Sequence, residues 1–311
     1  MSPRYVYGPV LFKYIAGSTI GINNVPVNVC PYACVYCRFG GPKRISIERR
    51  PYSDPKKVLE EAKRILPASE ADKIIFFASG EPVLDSNIRH LAEALRAVFG
   101  KPVGAVINPS LLWRRDVIND LLALDFLILR VDTVVEDTWK LINRPCKDLL
   151  FDAVLQGIRD FSKSFGGTIM VETVLIKNVN TSEDELHALG SFLKSLNPSA
   201  VFISPPYTFE KWVQKPTRSD FELSQSILLS ELKGSNIIVS DKPDIIESFA
   251  VLEGNAIDML LSLLSVHPLR REQCEVLLRT EYDKPHEVLQ SLLNRGQIRA
   301  IRYDRETLFL I

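Results

Sequence analysis

The sequence predicts an α/β fold built on a parallel sheet followed by a small α+β domain, and three observations predict it. Between Val58 and Ser204, short apolar runs bounded by turn residues alternate with segments of helical periodicity. The apolar runs read as strands buried on both faces, as parallel strands under helices are. From about Ala256 the alternation gives way to three short helical segments and a hairpin pattern.

In chain order, "STIGINNVPVN" supplies a first strand. "PKKVLEEAKRILP" is a helix with Asp54 as N-cap and Pro55 at its first position. "DKIIFFAS" is a buried strand that runs into Ser79-Gly80-Glu81-Pro82. "SNIRHLAEALRAVFG" is a helix closed by Gly100. "PVGAVIN" and "DFLILRVD" are strands on either side of the helix "LWRRDVINDLLAL". "LLFDAVLQGIRDFSKSFGG" is a helix, "TIMVETVLI" a strand, "SEDELHALGSFLKSL" a helix and "AVFIS" a strand. Six such strands suit an open barrel or a doubly wound sheet, and in either the chemistry gathers at the C-terminal strand ends. A helix at "SDFELSQSILLSELKG" and a strand at "NIIVS" extend the unit. The domain reading is 1–240 for the barrel with its extension and 241–311 for a linker and a winged-helix-like domain.

The 311 residues are 46% hydrophobic and formally uncharged, so bulk charge points to neither nucleic acid nor membrane. Residues 1–50 nevertheless carry seven Lys or Arg against Glu48 alone, a local excess that suits an anionic partner. Residues 256–311 balance eight basic with eight acidic residues and lack the electrostatic footprint of a nucleic-acid binder. Pro3, Arg4 and Pro9 interrupt any leader-like apolar run, and no stretch is long enough to span a membrane. The expected location is cytoplasmic, with no membrane partner.

Three of the five cysteines, Cys30, Cys34 and Cys37, fall within eight residues in "NVCPYACVYCRFGGPKR". Thiolates are soft ligands for zinc, copper(I) or iron–sulfur clusters. On cysteines alone, a zinc knuckle with a distant fourth ligand stays open. Three thiolates on one loop would also leave one iron of a cubane cluster free for a small molecule. Cys146 and Cys274 read as packed side chains, and His267 and His286 as surface residues. Arg144 and Lys177 are candidates for an anionic ligand.

The C-x3-C-x2-C spacing, with aromatic Tyr36 before the last cysteine, resembles the radical S-adenosylmethionine (SAM) superfamily. "FFASGEP" resembles that family's Gly-Gly-Glu-Pro motif, with Ser79 in place of the first glycine. "INPSLL" and "RVDTVVEDTWKLINRP" resemble segments of the branch of iron–sulfur oxidoreductases related to the wybutosine-synthesis radical enzyme, over roughly residues 7–215. The chain lacks that enzyme's additional N-terminal cysteines, so its particular reaction is not expected. The resemblance implies a partial (β/α)6 barrel. Cys30, Cys34 and Cys37 would be catalytic as ligands of a [4Fe-4S] cluster. Tyr36, Ser79, Gly80 and Glu81 would contact SAM, with Glu81 on its ammonium, and Asn108 and Asp132 would reach its carboxylate or ribose. It further implies reductive cleavage of SAM, an electron donor such as ferredoxin or flavodoxin, and hydrogen abstraction from a substrate.

RNA leads among substrates, on the related branch and the basic N-terminal segment. Peptide or protein modification, including radical activation, follows, with the C-terminal domain as a docking module that SAM cleavage does not need. A rival of another class is a non-catalytic redox-sensing regulator that binds nucleic acid. Ser79-Gly80-Glu81 separates the two, because a sensor has no need of an ammonium partner.

Overall fold

The computed structural model describes residues 5–27, 29–40, 44–69, 71–207, 210–242, 246–249, 256–303 and 306–311. Its frame is a run of parallel strands: β2 (Ser18–Ile22), β5 (Lys73–Phe76), β6 (Val103–Ile107), β7 (Phe126–Arg130), β8 (Thr168–Val174), β9 (Ala200–Ser204) and β10 (Asn236–Val239). Joining them are α1 (Pro55–Ser69), α2 (Ile88–Phe99), α3 (Arg115–Leu121), α4 (Glu136–Asn143), α5 (Phe151–Ser164), α6 (Glu183–Lys194) and α7 (Arg218–Glu231). Two short strands, β3 (Val29–Cys30) and β4 (Arg44–Ile45), bracket the cysteine loop. The expected caps form: Asp54 accepts from the Lys56 and Val58 amides, and Gly100 closes α2 at φ 63°.

Two strands extend the sheet beyond the sequence reading. β1 (Val6–Phe12) pairs antiparallel with β2, and β11 (Ile246–Phe249), in the stretch read as linker, pairs antiparallel with β1. Among the described residues the order is β10-β9-β8-β7-β6-β5-β2-β1-β11. Gly8-Pro9 hides β1 in the sequence, because proline inside an apolar run argues against a strand. The structure accommodates it with a register shift between Tyr7 and Val10.

The strands divide their side chains by the two-residue period. Ile74, Phe76, Ala105, Ile107, Leu127, Leu129, Val171, Val201 and Ile203 face the helices. Ile75, Phe77, Val106, Phe126, Ile128, Met170 and Phe202 face the other way. That second face is covered by the C-terminal part of the chain: α8 (Ala256–Val266), β12 (Leu269–Arg270), α9 (Arg271–Leu278), α10 (Pro285–Asn294), β13 (Arg299–Tyr303) and β14 (Glu306–Leu310).

Met259, Leu260, Leu261, Leu263, Leu264 and Val266 of α8 are all buried, as a helix apolar on every side must be. They share one core with the sheet face, with Cys274, Leu277, Leu289, Leu292 and Phe309. The C-terminal part therefore packs onto the sheet, the alternative that Leu260, Leu264, Leu289 and Leu292 suggest beside a docking role. The three C-terminal strands form an antiparallel sheet in the order β12-β14-β13. Cys146 and Cys274 are buried in the two cores, as expected of packed thiols.

Candidate functional site

The C-terminal strand ends open into a cavity of about 1080 Å3, its mouth included. Cys30, Cys34, Cys37, Tyr36, Ser79, Gly80, Glu81 and Asn108 all line it. The structure thus brings eight of the nine expected site residues to one wall. Asp132 is the ninth, and it lies behind that wall. Its carboxylate accepts from the Tyr36 hydroxyl, the Asn143 side-chain amide at 2.7 Å and the Val174 amide at 2.9 Å.

The cysteine loop is held by the last residues of α4 and the segment that follows it. The Ala33 amide donates to Asn143 O at 2.9 Å, the Val35 amide to Ile142 O at 2.9 Å, and the Cys146 amide to Pro31 O at 2.8 Å. "INRPC" is therefore the splint of the cysteine loop, with Arg144 in the left-handed region at φ 43°. Two side-chain amides point at sulfur: Asn108 Nδ2 lies 3.3 Å from Cys30 Sγ, and Asn143 Nδ2 lies 3.4 Å from Cys34 Sγ. Sequence reasoning missed Asn143; its signal was the Asn-Arg-Pro ending of the strand-four segment. Burial holds the Cys30 thiol well above its ordinary range and pushes Cys34 up to about 12. Both are thus neutral until a metal displaces the proton. Among the described residues no three His, Cys, Asp or Glu side chains close around a single-ion site.

The Ser79-Gly80-Glu81 turn is pinned beneath the loop. The Gly80 amide donates to Val25 O at 3.1 Å and the Glu81 amide to Val29 O at 2.9 Å. A Cβ on Gly80 would stand 2.5 Å from Val29 O and 2.6 Å from Pro26 O, so glycine is required here by close approach of backbone. Ser79 replaces a glycine with a latch. Its hydroxyl donates to Ser265 O, at the end of α8, at 2.7 Å, and its amide donates to Asn23 Oδ1 at 2.9 Å.

Glu81 is 5% exposed. Its Oε2 accepts from the Asn108 amide at 2.9 Å, and no ion pair reaches it among the described residues. Desolvation outweighs those hydrogen bonds and raises its carboxyl to about 8. Glu81 Oε1 accepts from the Val83 amide at 3.4 Å, and a buried carboxylate that lines the cavity with no ion-pair partner among the described residues suits an incoming ammonium.

On the neighbouring strands, the β7–β8 register sets Arg130 beside Glu172. Glu172 binds Arg130 Nε at 2.8 Å and Lys13 Nζ at 3.2 Å, and accepts from Ser204 Oγ at 3.2 Å. The two cations, led by Arg130, hold its carboxyl down at about 2 against the cost of burial. Arg144 is instead an outer residue, bidentate to Glu210 at 2.6 and 2.7 Å. His267, read from sequence as a surface residue, is 1% exposed and lines the cavity. The basic N-terminal segment also turns inward: Lys13 pairs with Glu172, Arg49 with Asp116 and Asp120, and Arg38 lines the cavity.

Together, fold and site define an α/β protein with an open parallel sheet whose strand ends carry a thiol triad beside a buried carboxylate. The chain belongs to the radical SAM superfamily, whose family model matches residues 24–189. Members of that superfamily use a [4Fe-4S] cluster and SAM and are generally enzymes. The donor set fits both groups: three soft thiols with amides aimed at two of the sulfurs, and a carboxylate awaiting a cation.

A UPF0026 protein of Methanocaldococcus jannaschii is 32% identical over 313 residues, spanning 98% of this chain and 95% of that protein. A UPF0026 protein of Helicobacter pylori is 30% identical over 312 residues, spanning 96% and 94%. Among solved structures, a radical SAM methyltransferase from Sphaerobacter thermophilus matches with a TM-score of 0.55 at 17% identity, covering 73% of this chain and 67% of that one. TYW1 with a lysine–pyruvate adduct bound matches with a TM-score of 0.52 at 17% identity, covering 68% and 73%. These last two are likenesses of fold. Among the described residues no helix is long and apolar enough to cross a membrane.

Proposed function

We propose that this chain is a cytoplasmic radical SAM enzyme of the oxidoreductase kind, which abstracts hydrogen from a substrate held in the cavity over its cysteine loop. Cys30, Cys34 and Cys37 would hold the [4Fe-4S] cluster, and Glu81 the methionine ammonium. When bound, cluster and SAM supply a 5′-deoxyadenosyl radical by reductive carbon–sulfur cleavage, with the electron coming from a donor such as ferredoxin or flavodoxin.

The protein's own part is positioning and exclusion of water. Gly80 lets the turn approach the cluster loop, Asn108 and Asn143 donate to sulfur, and Asp132 fixes Tyr36 and Asn143 from behind. The aromatic faces of Tyr36, Phe39 and Phe77 line the cavity, and His267 brings the C-terminal part to its wall. The element order α8-β12-α9-α10-β13-β14 resembles a winged helix, here used as a wall as well as a surface.

The observation that carries the reading is Glu81: a buried carboxylate with no cation partner among the described residues, beside three thiols on one cavity wall. A redox sensor would have no use for it. Of the cations that favoured RNA, Lys13 and Arg49 are paired within the fold and Arg38 lines the cavity, which suits a small anionic molecule or a peptide better than RNA. The test is anaerobic reconstitution with iron analysis and reduction in the presence of SAM. One cluster per chain and 5′-deoxyadenosine are expected. Glu81→Ala should lose SAM affinity while keeping its iron, and equal SAM affinity in that variant would refute the assignment.

A further inference from the structure

Arg38, the residue after the last cysteine of the loop, is a cation that the chain itself leaves without an anion. Its guanidinium lies over the Phe77 ring at 4.3 Å from the centroid and near the Phe39 ring at 5.4 Å. Its Nε is shut off from solvent and has no acceptor. No carboxylate pairs with it among the described residues, and the Glu172 carboxylate of the same cavity is taken by Arg130 and Lys13. Of the other groups that could supply the missing charge, the adjacent Cys37 is committed to the cluster of the proposed function and the rest are neutral. Tyr7 and Tyr14 are held neutral by burial, and His267 is held neutral by burial and by Arg38 itself.

A guanidinium whose Nε is shut off from water, and which shares the Phe77 ring with the Arg130 guanidinium, is costly to leave without an anion. Stacking on Phe77 offsets part of the cost and fixes the plane of the fork. A planar fork with its edge free takes carboxylate or phosphate oxygens in pairs.

We propose that Arg38, with Arg130 beside it, forms the recognition site for an oxyanion of the substrate, a carboxylate or a phosphate. This rests on the proposed function above, since it places the substrate in the same cavity as SAM. The SAM carboxylate is the competing occupant. Arg38 and Arg130 both line the cavity and both lie over the Phe77 ring, at 4.3 and 6.0 Å from its centroid, so the SAM-affinity arm of the test separates the two occupants.

The test uses the full-length, cluster-loaded protein with SAM bound. Inorganic phosphate and sodium succinate are titrated separately at constant ionic strength, and the thermal midpoint is followed. One probe is expected to raise the midpoint saturably, and the tighter one names the oxyanion class. In Arg38→Gln its half-saturating concentration should rise by about tenfold or more, with Arg38→Lys intermediate because charge remains but the fork is lost. SAM affinity, read by equilibrium dialysis, should stay within about twofold in both variants.

Absence of a saturable shift with either probe in the unsubstituted protein overturns the proposal without any variant being needed. So does a tenfold loss of SAM affinity in Arg38→Gln, which would give Arg38 to the SAM carboxylate. Failure of the unsubstituted protein to bind SAM would instead refute the proposed function.

Discussion

Removing the C-terminal part tests how the cavity is built. A chain ending at residue 255 loses α8, whose Met259, Leu260, Leu261, Leu263, Leu264 and Val266 are buried against the inner sheet face. At about 1.5–3 kcal/mol for each large apolar side chain removed from water, these six account for roughly 9–18 kcal/mol. That is comparable to the roughly 5–15 kcal/mol by which a whole protein is stable. The loss also uncovers Tyr7, Val10, Phe12, Ile75, Phe77, Val106 and Phe202, and it removes the acceptor of the Ser79 hydroxyl. The truncated chain should be insoluble or molten and hold no cluster. A milder change scales the same argument: Leu264→Ala should cost about 2–5 kcal/mol in urea denaturation. The assay is expression, gel filtration and iron content of the truncate beside the full chain. A soluble truncate that unfolds cooperatively and carries a full cluster would refute the shared-core reasoning and restore the separable docking module.

Three further outcomes follow from the site. Gly80→Ala should lower cluster retention sharply, since its Cβ would meet two backbone oxygens at 2.5 and 2.6 Å; iron content after gel filtration is the measure. Asn143→Leu removes the donor to Cys34 and should lower the cluster's reduction potential. At about 0.5–1.5 kcal/mol per hydrogen bond and 59 mV per tenfold, the shift is roughly 20–65 mV in a titration followed by electron paramagnetic resonance. Glu81 is raised from 4.5 to about 8, so its contribution to stability is complete below the lower value and is lost as pH climbs through the upper one. The ligand-free protein should therefore weaken across that window, Glu81→Gln should flatten the slope, and SAM binding near neutral pH should release close to one proton in calorimetry.

What was legible in the sequence was local. β5 to β9 could be read because strands buried on both faces are continuous apolar runs, and the cysteine loop and Ser79-Gly80-Glu81 because each is a single short stretch. β1 and β11 escaped for different reasons: Gly8-Pro9 masks the first, and the second is a strand through pairing with residues more than 230 positions away. The place of Asp132 was equally invisible, since nothing in "RVD" says whether its carboxylate meets a ligand or fastens Tyr36 from behind. His267 and Arg38 show the same gap. His267 read as a surface residue and Arg38 as one of seven cations of a basic segment, and it took the packing of α8 and the stacking on Phe77 to show both lining the cavity.

The bond between Ser79 and Ser265 joins two parts of the chain that are 186 residues apart. Ser79 stands two residues before Glu81, on the same tight turn. A shift of α8 along the sheet must either break that bond or pull the turn with it, and the turn has no slack, being tied by backbone to Val25 and Val29. The C-terminal part is thus a lever with its fulcrum on the sheet and its short arm at the carboxylate. A displacement of that part is thus carried, through one hydroxyl, to the turn that holds Glu81.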